Sequence, residues 1–317
     1  MSNSKQNPED SSVDMSQFRS SMSHLPTSAE KIEAPYPLES NDPQMSEQLT
    51  FFKAATGIQD PEKLKAHILE IRAEGCKTFP FPCVLVFHFL HGMIAHHPFY
   101  HNVRKEIENK TATRKIFIDI GAGMGTDLRQ TVYYGWNRND VLSVEIEPGW
   151  KPLGEKLFRD SDHPIPYFIG NVLDSKVLDA TSSAKGDVNK VDLHSLESLN
   201  PLKGTARFIT LNQVFHFFDE EGQRQLAERC ALLLSGEVGS TIFGMQAGGV
   251  EEGLGSYNVF HHSPQSWKEL WESVFAPQTV QVVSQLVDVF STEAHLLSLF
   301  PDCKSMHRLY WSVRQQL

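Results

Sequence analysis

Lys115-Ile116-Phe117-Ile118-Asp119-Ile120-Gly121-Ala122-Gly123-Met124-Gly125-Thr126-Asp127 is an apolar run that stops abruptly in three glycines at alternate positions. Ile and Phe around one acid, between a charged start and a glycine turn, suit a buried parallel strand. Thr126-Asp127-Leu128-Arg129-Gln130-Thr131-Val132 follows with a capping Thr or Asp and apolar residues at helical spacing, so the local reading is strand, glycine turn, helix. Glycines there remove the Cβ atoms that would hold a ligand off the backbone. The free N–H groups of the helix start point at whatever occupies the turn.

The third glycine separates two kinds of nucleotide ligand. A dinucleotide turn wants G-x-G-x-x-G, whereas Gly121, Gly123 and Gly125 spell G-x-G-x-G and Thr126 stands where the dinucleotide pattern needs glycine. Asp119 would repel a pyrophosphate but can accept from the ammonium of an amino-acid moiety. Both departures favour S-adenosylmethionine, and the stretch resembles motif I of the class I S-adenosylmethionine-dependent methyltransferases.

Further strands follow in order. Val141 to Glu147 reads as the second, with Glu145 lying 20 residues beyond Gly125, the spacing at which an acid can accept both ribose hydroxyls. Glu147, two positions on, falls on the same strand face; the family resemblance favours Glu145. The third strand, Ile165 to Ile169, runs into Gly170-Asn171-Val172-Leu173-Asp174. The resemblance implies an acid at position 171 for the adenine amino group; Asn171 can still accept through its amide oxygen, Val172 supplies a backbone contact, and Asp174 is a nearby substitute. A polar insertion spans 175–204, with a short helix expected at Leu193 to Leu199. The fourth strand, Ala206 to Leu211, delivers Asn212 to the cofactor edge of the sheet and His216 to the acceptor side, as orienting group or base. A helix over Glu220–Leu234, a strand near Ser240–Met245, a helix starting at Ser263-Pro264 and two closing strands, Val280–Val289 and Ser305–Val313, complete the pattern, with Leu296 to Phe300 as a short helix or loop between the last two. The order predicts an α/β fold: a doubly wound, Rossmann-like methyltransferase sheet with a terminal antiparallel pair and an N-terminal helical cap.

Upstream, residues 1–45 are dense in Ser, Pro, Asn, Asp and Glu and read as a disordered tail. Helices are expected from Ser46 to Gly57 and from Asp60-Pro61-Glu62 onward. Thr78 to Met93 is the most aromatic segment, read as a buried helix entered through two prolines and, by its place before the cofactor turn, as a cap that offers Phe81 and Phe87 to an apolar substrate. His88, His91, His96, His97 and His101 crowd this region. Core residues interleave the first two and the next pair is adjacent, a poor arrangement for metal ligands, so no metal is expected.

A formal charge of −10 and a pI near 5.8 argue against a nucleic-acid partner. Cys76, Cys83, Cys230 and Cys303 lack paired spacing, which fits a reducing, cytoplasmic location. No apolar run approaches the roughly 20 residues that span a bilayer, and no membrane partner is expected.

The resemblance to class I methyltransferases covers 113–317 and rests on Asp119-x-Gly121-x-Gly123-x-Gly125, Glu145 and Gly170-Asn171-Val172. More narrowly, Thr78-Phe79-Pro80-Phe81-Pro82-Cys83 with Ile118-Asp119-Ile120-Gly121-Ala122-Gly123 resembles fungal secondary-metabolite methyltransferases, including those that methylate a carboxyl group in meroterpenoid biosynthesis. What this implies is a tail (1–45), a helical cap (46–112) and a cofactor domain (113–317), with S-adenosylmethionine as cofactor and a small polyketide or terpenoid acid as substrate. A homodimer is left open. The rival readings are a non-catalytic module that kept the fold and a nicotinamide-dependent oxidoreductase, the latter disfavoured by Thr126 and Asp119.

Overall fold

The computed structural model describes residues 34–78, 82–109, 113–182, 184–255, 259–289 and 305–317. The expected tail up to residue 33, Phe81 and the expected element at Leu296 to Phe300 lie outside the described residues. From residue 34 the chain packs: Leu38 is buried, and helix α1 (Pro43–Thr56) begins inside the stretch read as tail, its N-terminus capped by Asp42. Helix α2 (Pro61–Thr78) follows as expected from its proline start.

Seven strands form one sheet: β1 (Ile116–Ile120), β2 (Val141–Glu145), β3 (Tyr167–Ile169), β4 (Ala206–Asn212), β5 (Thr241–Gly248), β8 (Val280–Asp288) and β9 (His307–Gln315). Their spatial order is β3-β2-β1-β4-β5-β9-β8. The first five run parallel, and β9 pairs antiparallel with both β5 and β8. The chain therefore winds out from β1 to β3, returns to β4 and winds the other way. Such a reversal opens a crevice beyond the carboxyl ends of β1 and β4, where open α/β sheets bind ligands. A two-stranded pair, β6 (Gly253–Leu254) and β7 (Phe260–His261), follows β5 and gave no signal in the sequence.

Side-chain alternation along β1 distributes its residues between two packing layers. Ile116, Ile118 and Ile120 join the core under α6 (Glu220–Leu233) and α7 (Pro264–Val274), with Leu226, Trp267 and Trp271. Phe117 joins the other layer, with Val103 of α3 (Tyr100–Asn109) and Leu128 of α4 (Thr126–Tyr133). Asp119 shares the parity of Phe117 and ends buried at the crevice. The N-terminal helices cover α5 (Trp150–Phe158), where Phe52 stacks on Phe158 at 5.5 Å; each fully buried ring contributes about 1.5–3 kcal/mol.

Three expectations change. Thr78 to Met93 is not one helix: a single turn at Pro82–Leu85 gives way to a 3-10 turn at His88–Leu90, because Phe87 takes the left-handed conformation (φ 60°) that ends a helix. Leu193 to Leu199 is irregular, with 3-10 turns at Val188–Lys190 and Asn200–Leu202 instead; its apolar residues Leu193 and Leu199 are buried one by one in the core, without a helical face. The second strand stops at Glu145 rather than Glu147.

Candidate active site

A cavity of about 460 Å³ fills the crevice. Its floor is the glycine turn. Gly121, Gly123 and Gly125 all have positive φ, and a Cβ at Gly123 would meet no atom of the described residues within 4 Å, so its backbone faces the cavity directly. At Gly121 a Cβ would collide with Val214. Two side chains hold the turn by its carbonyls. Tyr167 Oη donates to the Gly123 carbonyl at 2.6 Å, and Arg129 Nη1 donates to the Met124 carbonyl at 2.8 Å while its other nitrogens pair with Asp160. Both were missed in the sequence, since neither sits in a recognisable pattern.

Around this floor the structure gathers Asp119, Gly121, Gly123, Glu145, Asn171, Val172 and Asn212. Asp119 is 3% exposed and receives no hydrogen bond among the described residues. Burial, then the nearby Asp127 and Glu145 carboxylates, push its pKa well above the usual range. A buried carboxylate in this state fits a cationic partner such as an ammonium group.

Glu145 is fixed more tightly. Oε2 accepts from Gly123 N at 2.9 Å, and Oε1 from Ile146 N at 2.8 Å and Glu147 N at 3.3 Å. Burial raises its pKa and these N–H groups oppose the rise. Glu147 also lines the cavity, beyond the end of β2. The amide oxygen of Asn171, expected to face adenine, already accepts from Leu173 N at 3.0 Å, because position 171 opens a tight turn closed by Asp174 N on the Asn171 carbonyl. Asn212 donates from Nδ2 to Thr210 Oγ1 at 3.3 Å, while its buried Oδ1 has no partner among the described residues.

Much of the remaining lining is apolar: Phe89, Met93, Val214, Phe217, Phe218 and Leu226 contribute to it. Phe87 is not part of it: its left-handed backbone sends the ring into the core, 1% exposed, against Tyr36 and the Arg72 guanidinium, and puts His88 and Phe89 on the cavity instead. His216 is likewise absent from the lining. The Phe215–Phe217 3-10 turn packs it half-buried beside Phe217, and burial, then His261, lowers its pKa to about 4. Its neighbours Phe217 and Phe218 line the cavity.

The lining carries four carboxylates, Asp119, Asp127, Glu145 and Glu147, and no Lys or Arg among the described residues. Also among the described residues, no cluster of three or more His, Cys, Asp or Glu is placed to hold a metal ion, and no helix is long and apolar enough to cross a membrane.

Comparison with known proteins adds to this geometry. Residues 38–90 match the family described as meroterpenoid methyltransferase N-terminal domain. The chain is 28% identical over 228 residues to O-methyltransferase phiE of a fungal species, covering 70% of this chain and 68% of that protein. It is 30% identical over 213 residues to the asnovolin E/chermesin D methyltransferase nvfJ of Aspergillus novofumigatus, covering 66% of this chain and 69% of the relative. Among solved structures, geranyl diphosphate C-methyltransferase from Streptomyces coelicolor aligns over 89% of this chain and all of its own length (100%) at 13% identity and a TM-score of 0.44; strand order, not that superposition, defines the fold here. Identity at this level over two thirds of nvfJ, joined to an acid and glycine turn suited to the cofactor, decides the matter: the chain belongs to the fungal secondary-metabolite methyltransferases that depend on S-adenosylmethionine.

Proposed function

We propose that this enzyme transfers a methyl group to the carboxyl oxygen of a small apolar acid of polyketide or terpenoid type, in secondary-metabolite (meroterpenoid) biosynthesis. The observation that carries the reading is a cavity with two unlike halves: an acid and glycine floor from β1 and β2, and an aromatic wall of Phe89, Phe217 and Phe218. When bound, S-adenosylmethionine supplies an electrophilic methyl on a sulfonium. Asp119, with Asn212 Oδ1 as a second acceptor, takes the ammonium of its amino-acid moiety. Glu145 takes the ribose hydroxyls, and Asn171 and Val172 border the adenine. Gly121 and Gly123 let the ligand approach the backbone, while Gly125 lies off the lining, its Cβ position set against the Arg129 and Ser143 side chains.

The acceptor half works by placement. Phe89, Phe217 and Phe218 bury an apolar skeleton and exclude water, and alignment of reacting atoms alone can lower a barrier by roughly 7–11 kcal/mol. A carboxylate, with a pKa of about 4, is ionised and nucleophilic at pH 7 without a base. That agrees with the absence of His216 from the lining. The N-terminal helices, residues 46–112, act in this reading as a cap over the cofactor domain of 113–317, in a cytoplasmic protein.

The test is product chemistry. Wild-type enzyme with S-adenosylmethionine and an apolar terpenoid acid should yield a singly methylated product that mild base returns to the acid. A base-stable ether or C-methyl product would overturn the carboxyl assignment.

A further inference from the structure

We propose that His88 is the acceptor-binding residue: its imidazole N–H donates to the substrate carboxylate and fixes the oxygen that receives the methyl group. This rests on the carboxyl-methylation reading above.

The first reason is electrostatic. An acid entering this cavity meets four lining carboxylates and no Lys or Arg among the described residues. Like charges repel, so an anionic acceptor needs a hydrogen-bond donor among the lining side chains. His88 is the lining imidazole, and it belongs to the cap segment, beside Phe89 of the apolar wall. His91 packs edge-on against it with ring centroids 5.4 Å apart, which limits how its ring can turn.

The second reason is that the chain spends conformational energy to put His88 there. Phe87 is a bulky residue at φ 60°, a strained state of the kind that gathers at functional sites. Arg72 holds that turn, lying 4.4 Å from the Phe87 ring centre and donating from Nε and Nη2 to the Leu85 carbonyl at 3.1 and 2.6 Å. On the other side, Thr126 Oγ1 donates to the Phe89 carbonyl at 2.8 Å, and Ile94 N donates to Asp127 Oδ1 at 2.9 Å. Thr126 and Asp127 open α4, directly after the glycine turn. His88 is therefore clamped from both flanks, and one clamp is the first turn of the cofactor helix. This ties the acceptor oxygen to the methyl donor in one rigid frame, which is what an in-line transfer needs. Gln213, also a lining residue, sits at φ 58° directly after β4, so left-handed non-glycine backbone borders the cavity there as well.

The full-length protein with farnesoic acid and its primary alcohol, farnesol, as probes tests this. In the His88→Leu variant KM for the acid should rise at least tenfold with S-adenosylhomocysteine affinity unchanged by calorimetry, while His88→Gln, which keeps an N–H donor, should recover part of the loss. The preference for acid over alcohol should fall in His88→Leu. Ester formation by wild type with unaltered KM in His88→Leu would overturn the proposal while leaving carboxyl methylation standing. Loss of S-adenosylhomocysteine binding in both variants would make His88 a structural residue and overturn it too. No ester from wild type would overturn the underlying reading and this inference with it.

Discussion

Glu145 and Glu147 stand two positions apart with the same side-chain chemistry, and three N–H groups distinguish them. Gly123, Ile146 and Glu147 all donate to Glu145, whereas Glu147 lies past the strand. A carboxylate held this way loses no rotamer freedom on meeting a ligand. Glu145→Gln should therefore weaken S-adenosylmethionine binding by about 1–3 kcal/mol, and Glu147→Gln by much less, in calorimetric titration. The reverse ranking would move the ribose contact to Glu147. Spacing from Gly125 was enough to bring both residues to the right place in the sequence. What spacing could not carry was the backbone pattern at the strand end. His216 shows a different limit: its position after β4 was legible, but a 3-10 turn decides which of Phe215, His216 and Phe217 meets the cavity, and that turn left no periodic trace.

The elements around the site owe their arrangement to signals of unequal strength. Asp60-Pro61 and Ser263-Pro264 announce helix starts because a capping oxygen and a missing N–H both suit a first turn, and the helices begin there; Asp42-Pro43 carries the same signal but was hidden in the polar composition read as tail. The strands of the doubly wound sheet were legible along the chain because each parallel strand is a short apolar run followed by a turn, whereas their spatial order is set by pairing that no single run reports. The cap segment was not. A left-handed residue is normally advertised by Gly or Asn, and here it is Phe87, stabilised by Arg72 from another helix, a tertiary cause that no local pattern reports. The clamp between cap and α4 makes a separate prediction. Thr126→Val keeps the shape and removes the bond to the Phe89 carbonyl, a loss of about 1 kcal/mol. Acceptor KM should rise roughly fivefold by that conversion, with cofactor affinity unchanged. Equal losses for both ligands would show that the contact braces the glycine turn rather than the cap.

Taken as a molecule, the protein concentrates negative charge where it opens its cavity, on a chain whose formal charge is already −10. Burial pushes Asp127 up to about 6, opposed by the Ile94 and Met93 N–H groups, and raises Asp119 and Glu145 as well. An acid whose folded pKa exceeds its unfolded value binds more protons when folded. Its contribution is fully present below about pH 3.9 and is lost as pH rises through about 6. Asp127→Asn keeps the acceptor for Ile94 N and removes the charge. Relative to wild type it should therefore be neutral near pH 4 and more stable above pH 6, by up to about 3 kcal/mol, read as urea midpoints of the ligand-free protein at each pH. A constant difference across that range would mean Asp127 is not ionised under strain. His97 works in the opposite sense. It accepts from Phe99 N at Nδ1 and donates from Nε2 to the Gly244 carbonyl, burial lowers its pKa to about 4, and the stability it contributes is lost as pH falls from the ordinary histidine range through that value.

The central claim is that Asp119 and the turn after it make an S-adenosylmethionine site, and calorimetric titration of wild type and Asp119→Asn with S-adenosylmethionine, S-adenosylhomocysteine and NAD measures it most directly. Wild type should bind the first two at one site per chain and leave NAD unbound, and Asp119→Asn should weaken both by about 1.5–3 kcal/mol, the range for a hydrogen bond to a charged group. NAD binding without the other two, or equal affinities in the two proteins, would contradict it.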